Sequence, residues 1–470
     1  MIFSRLDGSA MDWRARQSKP KKASKDKKMG KSAITGGTSV LKEMDKQLFH
    51  WPIVNDAMRK AQADVLEAGN MSGTDIARRF EAEFAKWQGR KYALSHNNGT
   101  NALNAAMYAI GLGPGDEIIC TSVTYWASCT GALALGASVV FCDINPETLQ
   151  MDPASFEARI TPRTKAVMVV HYMAHPAPMD EIMAIAKKHG LKVIEDVSHA
   201  QGGHYKGRML GTFGDVAAMS LMSCKSFAIG EGGMLVTDDA EIFKKAVVFG
   251  HYDRIVDVCT EEEMEAPKNI PWGGLKNRMH QVAAAIGLEQ LKKHDAEIAE
   301  IDRAMKYFWK GISDVAGLGI VYPKDEGSDK AGWYASRFRY DAAAFGGVSN
   351  VTFCEALNAE VGGGFYFGCN MPLHLSSVFF DVDIYGHGKP TSRVFLPDGV
   401  DPRKESGSLP NAEKINMQVL GEPWFKHEDH AKIDPYVEAV HKVAENFEEL
   451  LPINDTTPII GGVALSKRKK

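Results

Sequence analysis

The sequence predicts an α/β fold in two parts, a large domain with a mostly parallel seven-stranded sheet covered by helices and a smaller C-terminal α+β domain. Three observations carry this reading. Residues 91–95, 117–121, 138–142, 166–171, 192–195, 216–221 and 234–237 are short apolar runs of the length buried strands have. Helical segments alternate with them, among them 101–110, closed by Gly111, and 180–189, closed by Gly190. Strands alternating with helices argue for a parallel sheet buried on both faces. A chain of 470 residues also exceeds one ordinary core and points to two domains.

Residues 1–31 hold ten lysines and arginines with little apolar content, so 1–33 reads as a basic, disordered arm. It lacks the apolar stretch of a secretory signal. The large domain is expected over 34–294, beginning with a connecting segment and a helix over 54–67. A turn at 69–73 follows, with Thr74 capping a helix that runs to about Gly89. A charged helix from Asp295 opens the small domain, 295–455, and 456–470 is a tail ending in SKRKK.

Apolar content of 44% and charged content of 24% are those of a globular protein, and a net charge of −4 gives no electrostatic footprint for nucleic acid. No apolar run approaches the roughly 20 residues that span a bilayer. The seven cysteines are scattered without CxxC spacing, which suits a reducing cytoplasm, and no metal site is expected.

The chemistry concentrates in residues 193–237. Asp196 closes one apolar run, and Lys225 lies between another, AAMSLM, and the loop GEGG. A lysine where a buried strand meets a turn has a lowered proton affinity, and a neutral amine can attack an aldehyde. A strand-end acid beside it can keep a pyridine nitrogen protonated, so the pair fits pyridoxal phosphate. Taken singly, each has a plain structural explanation, a lysine reaching solvent or an acid capping a helix. His199 can hydrogen-bond the ring oxygen. Gly99 and Thr100 open a helix whose N–H groups favour a phosphate, with the Ser220 hydroxyl as a further donor. Tyr125, in Thr124-Tyr125-Trp126, offers an aromatic face to stack on a ring.

In nearly continuous register, residues 34–291 resemble the DegT/StrS family of sugar aminotransferases. The likeness is clearest in SHNNGTNAL, GLGPGDEIICTSVTYWAS, VHYMAHPAPMDEIMAIAKKHGLKVIEDVSHAQGGHYKGRMLGTFGD and SLMSCKSFAIGEGGMLVTDD. The resemblance implies a fold-type-I, pyridoxal phosphate-dependent aminotransferase. By it, Lys225 is the lysine that binds the cofactor and Asp196 the partner of the ring nitrogen. His199 stands beside the ring oxygen, Gly99, Thr100 and Ser220 contact the phosphate, and Tyr125 stacks. It further implies a homodimer with shared active sites. There Lys276, in Gly274-Leu275-Lys276-Asn277-Arg278-Met279, replaces an asparagine that reaches the partner's phosphate, and a lysine can do so as a point charge. Arg278 and His175 are the candidate substrate-binding residues. The branch resembled aminates keto-cyclitols such as scyllo-inosose, and ketosugars, from L-glutamine or L-glutamate. The alternatives are a sugar dehydratase, in which histidine typically stands where Lys225 does, and a non-catalytic regulatory paralogue.

Overall fold

The computed structural model describes residues 30–265 and 272–459. The basic arm up to residue 29 and the end of the tail from 460 lie outside the described residues. The large sheet is built from β1 (Tyr92–His96), β2 (Glu117–Thr121), β3 (Ser138–Cys142), β4 (Thr164–Val170), β5 (Lys192–Asp196), β6 (Val216–Ser220) and β7 (Gly233–Thr237), in the order β1-β7-β6-β5-β4-β2-β3. Only β7 runs against the others, pairing antiparallel with both β1 and β6.

The apolar runs are continuous because both faces of the sheet are covered. Along β4, Ala166, Met168 and Val170 enter one core, and Val167 and Val169 enter the other. Helices α1 (Asp56–Glu67), α2 (Asp75–Gln88), α3 (Gly99–Ala109), α4 (Met179–His189), α5 (Ala240–Gly250) and α6 (Gln281–Leu291) surround the sheet. The first core takes Leu103 and Ala106 from α3 and Val247 from α5; the second takes Phe80 and Phe84 from α2, Ile182 from α4 and Leu288 from α6. Gly89 and Gly190 end α2 and α4 in the left-handed conformation the sequence leads one to expect. Thr74 does precede α2, but its side chain makes no capping hydrogen bond.

The small domain has an antiparallel sheet of β8 (Leu318–Ile320), β9 (Arg337–Tyr340), β10 (Tyr366–Phe367) and β11 (Val419–Gly421), ordered β8-β9-β11-β10. With α7 (His294–Ile312), α8 (Asn350–Val361) and α9 (His430–Glu445) it encloses a third core around Phe308, Phe338, Leu357 and Tyr436. No helix among the described residues is long and apolar enough to cross a membrane.

Two stretches cross the boundary drawn from sequence at residue 295. The segment before α1 packs on the small domain: Leu48 joins the third core, and the buried Glu360 carboxylate accepts from Ala33 N (2.8 Å), Val40 N (3.2 Å) and Lys442 Nζ (2.8 Å). In return, residues 369–418, between β10 and β11, pack on the large domain. Phe379, Leu409 and Ala412 enter the first core, Ser406 Oγ accepts from Phe141 N (2.9 Å), and Ala412 N donates to Asp143 Oδ1 (2.8 Å). This crossing covers β3, a sheet edge that would otherwise present free backbone groups.

At the centre of the sheet, Glu195 on β5 is fully buried and accepts from Gly211 N (2.8 Å), Phe213 N and Gly214 N (both 2.7 Å), with His171 Nε2 at 3.1 Å. Replacing it with alanine strands three backbone donors. Glu195→Ala should lower unfolding stability by about 3 kcal/mol or more, read from the denaturant midpoint.

Candidate active site

The C-terminal ends of β5 and β6 meet at one point, because Asp196 pairs with Ala218 in register. Asp196 is 4% exposed. Ser128 Oγ donates to its Oδ2 (2.8 Å) and Ser198 N to its Oδ1 (3.0 Å), which fixes both oxygens. Thr124 Oγ1, 2.9 Å from Ser128 Oγ, extends the chain of hydroxyls.

Lys225 lies five residues beyond β6 and is 7% exposed. Burial pulls its amine down to about 8, while Asp196 and then Cys224 work in the opposite sense. Its main chain is held because Trp51 Nε1 donates to Lys225 O (2.8 Å). The amine stands 4.1 Å from the ring centroid of Tyr334.

His199 is buried. Burial holds its imidazole well below the usual range, and the charges of Lys225 and Arg337 add to that. Met173 N donates to its Nδ1 (3.3 Å), so the neutral ring carries its proton on Nε2 as a donor. Met173 and Ala174 both hold left-handed φ angles (58° and 60°), strain of a kind that collects at functional sites. Tyr172 and Tyr334 flank the imidazole at 5.2 and 4.6 Å.

The start of α3 faces the end of β6. Asn98 caps α3 through Asn101 N (2.8 Å), and Ala102 N donates to Asn98 O, leaving the N–H groups of Gly99 and Thr100 at the helix end. A Cβ on Gly99 would meet Ser220 Cβ at 2.5 Å, and one on Gly233 would meet Asn98 O at 2.3 Å. The cradle therefore admits only glycine at these places, and it brings the backbone amides at the start of α3 close to Ser220, a set of donors that suits an anion. This donor set, the buried amine and the strand-end carboxylate fit pyridoxal phosphate. Tyr125 is 47% exposed and lies 4.8 Å from the Trp126 ring, an aromatic pair with uncovered surface.

Three sequence candidates stand apart from this cluster. Lys276 is exposed, with Nζ 5.3 Å from the Tyr252 ring. Arg278 pairs with Asp253 (2.9 Å) and donates to Ser72 O (3.3 Å). His175 is buried, bonded to Pro176 O (2.8 Å), and pushed down to about 3 by burial and then by the charge of Lys330. None of the three touches Lys225 or Asp196 within this chain. Conversely, Trp51 and Tyr334, which do touch Lys225, were not singled out from sequence: one precedes the sheet by forty residues and the other lies in the small domain.

Residues 52–397 match the model of the DegT/DnrJ/EryC1/StrS aminotransferase family. The chain is 31% identical to the spore coat polysaccharide biosynthesis protein SpsC of Bacillus subtilis, over 84% of this chain and 97% of the relative. It is 31% identical to a putative L-glutamine:3-amino-2,3-dideoxy-scyllo-inosose aminotransferase of Streptoalloteichus tenebrarius, over 82% and 92%. Among solved structures it resembles an aminotransferase from Psychrobacter cryohalolentis, with a TM-score of 0.70, 27% identity, and coverage of 85% of this chain and 99% of that one. The chain thus belongs to the DegT/DnrJ/EryC1/StrS aminotransferase family, and it is a fold-type-I sugar aminotransferase that works with pyridoxal phosphate.

Proposed function

We propose that this enzyme moves the amino group of L-glutamine or L-glutamate onto the ketone of a keto-cyclitol related to scyllo-inosose, or of a ketosugar. The product would serve amino-sugar or polysaccharide biosynthesis. The observation that carries the reading is the convergence of Lys225 and Asp196, both buried, at the ends of neighbouring strands. When bound, pyridoxal phosphate supplies an aldehyde to take up the amino group and a ring that draws in the electrons released at the substrate carbon.

Every other requirement falls to side chains of the chain. Lys225 would hold the cofactor through Nζ, and its amine, when free, would take a proton from the substrate carbon as base and return one as acid. A lysine lowered to about 8 yields its proton more readily than an ordinary one, which suits both halves of that task. Asp196, immobilised by Ser128 and the Ser198 amide, keeps the ring nitrogen protonated. Gly99, Thr100 and Ser220 would hold the phosphate, neutral His199 would offer its Nε2 proton to the ring oxygen, and Tyr125 would cover the ring. Lys276, exposed near Tyr252, would serve a partner's site in a homodimer, and Arg278, half-buried beside the same ring, is the candidate for binding substrate. The relative from Streptoalloteichus, whose name specifies glutamine and a scyllo-inosose derivative, supports the donor and the acceptor class. The cysteines form no disulfide among the described residues, which supports a reducing cytoplasm.

Four outcomes check this. The purified protein with pyridoxal phosphate should be yellow and should lose that band on addition of L-glutamine or L-glutamate. A band indifferent to both donors would sink the donor assignment. Lys225→Ala should lower transamination by about four orders of magnitude, measured as amino product per enzyme. Gly99→Ala drives a methyl into Ser220 and should weaken pyridoxal phosphate binding about tenfold to a hundredfold in a spectral titration. Because only the neutral amine attacks the aldehyde, cofactor capture should accelerate with rising pH, with a midpoint near the lysine's value of about 8.

A further inference from the structure

Tyr334 reaches the active site from the small domain, on a turn that the backbone resists. Within five residues, Ala331 (φ 42°), Trp333 (φ 55°) and Ala335 (φ 55°) all adopt the left-handed conformation, although none is glycine. Each such residue is strained and persists only where surrounding contacts over-determine it. Those contacts are present. Trp333 is buried with Nε1 donating to Asp302 Oδ1 (2.9 Å), Trp424 Nε1 donates to Gly332 O (2.8 Å), and Arg337 Nη1 donates to Ala335 O and Ser336 O (both 2.9 Å). Gly332 also presses on the residue after Lys225, since a Cβ there would meet Ser226 Cβ at 2.4 Å.

What the strained turn accomplishes is the placement of one ring. Tyr334 faces the Lys225 amine at 4.1 Å, meets His199 edge to face at 4.6 Å, and is backed by Trp424 at 5.4 Å. An ammonium over an aromatic face is attracted by its negative quadrupole, more strongly where water is excluded. Trp51 pins the lysine's own carbonyl, which fixes the main chain from which the side chain extends.

We propose that Tyr334 is a positioning residue for Lys225, its ring fixing where the amine points and favouring the amine's protonated form. This rests on the reading that Lys225 is the reacting lysine. The charged and titratable groups around that amine are Asp196 at the end of β5 and Cys224 beside it, both favouring the ammonium, with His199, Arg337 on β9 and Tyr125 close by. The ring adds to Asp196 and opposes the effect of burial, and it comes from the small domain. The lysine's proton affinity thereby depends on how the two domains are docked.

The test is trace acetylation of the cofactor-free protein with acetic anhydride across a pH series, with Lys225 labelling read by peptide mass spectrometry. Tyr334→Leu keeps the site filled but removes the quadrupole, and should lower the Lys225 midpoint by about half to one pH unit. Tyr334→Phe retains the ring and should titrate as the wild type does. A leucine variant with an unchanged midpoint overturns the proposal, as does a phenylalanine variant shifted as far as leucine, which would assign the effect to the hydroxyl. Since labelling needs no cofactor, a wild-type protein that never takes up pyridoxal phosphate would sink the proposed reaction while the role of Tyr334 is still decided.

Discussion

Removal of the Lys225 amine from water is the constraint on which the site depends. An ammonium group withdrawn from solvent loses its hydration, and the surroundings return only part of it, through Asp196, Cys224 and the face of Tyr334. The protein keeps the amine dry with elements distant in sequence: β6 leads to it, Trp51 from the N-terminal segment bonds its carbonyl, and the turn at 331–335 covers its tip. Were any of these displaced, the lysine would revert toward an ordinary, always-charged surface amine.

The sheet supplies the precision. A parallel strand pair aligns its C-terminal ends, so the residues that follow β5 and β6 are neighbours without further design. Glu195 strengthens this alignment by gathering three backbone donors of the 211–214 turn onto β5, one residue before Asp196. Asp196 itself can then point at the site with both oxygens already oriented.

How much of this was legible in the sequence follows from how local each signal is. Six of the seven apolar runs became strands to within one residue at each end, and the strand at the 166–171 run began two residues earlier and stopped at Val170. All seven were legible because a strand buried on both faces needs no partner to betray itself. The cradle at Gly99 was legible for the same reason, a glycine opening a helix being a local pattern, although its closeness to Ser220 is a fact of the fold. Tyr334 was invisible because nothing in WYASR marks a left-handed turn: the alanines there adopt φ values that composition argues against, under tertiary compulsion. His175 shows the converse. A histidine near the motif in sequence is buried away from Lys225 and bonded to Pro176 O, its proton affinity lowered by burial and then by the charge of Lys330.

The return of residues 369–418 to the large domain has a bearing on how such enzymes can be recombined. The last third of the chain contains part of the first core and the cover of β3, so it is not a separable module. A chimera joined near residue 295, made to exchange the C-terminal part with that of a relative, would import foreign packing against Phe141 and Asp143. Junctions on either side of the 369–418 excursion would exchange the small domain's sheet and helices while leaving the large domain's own covering intact.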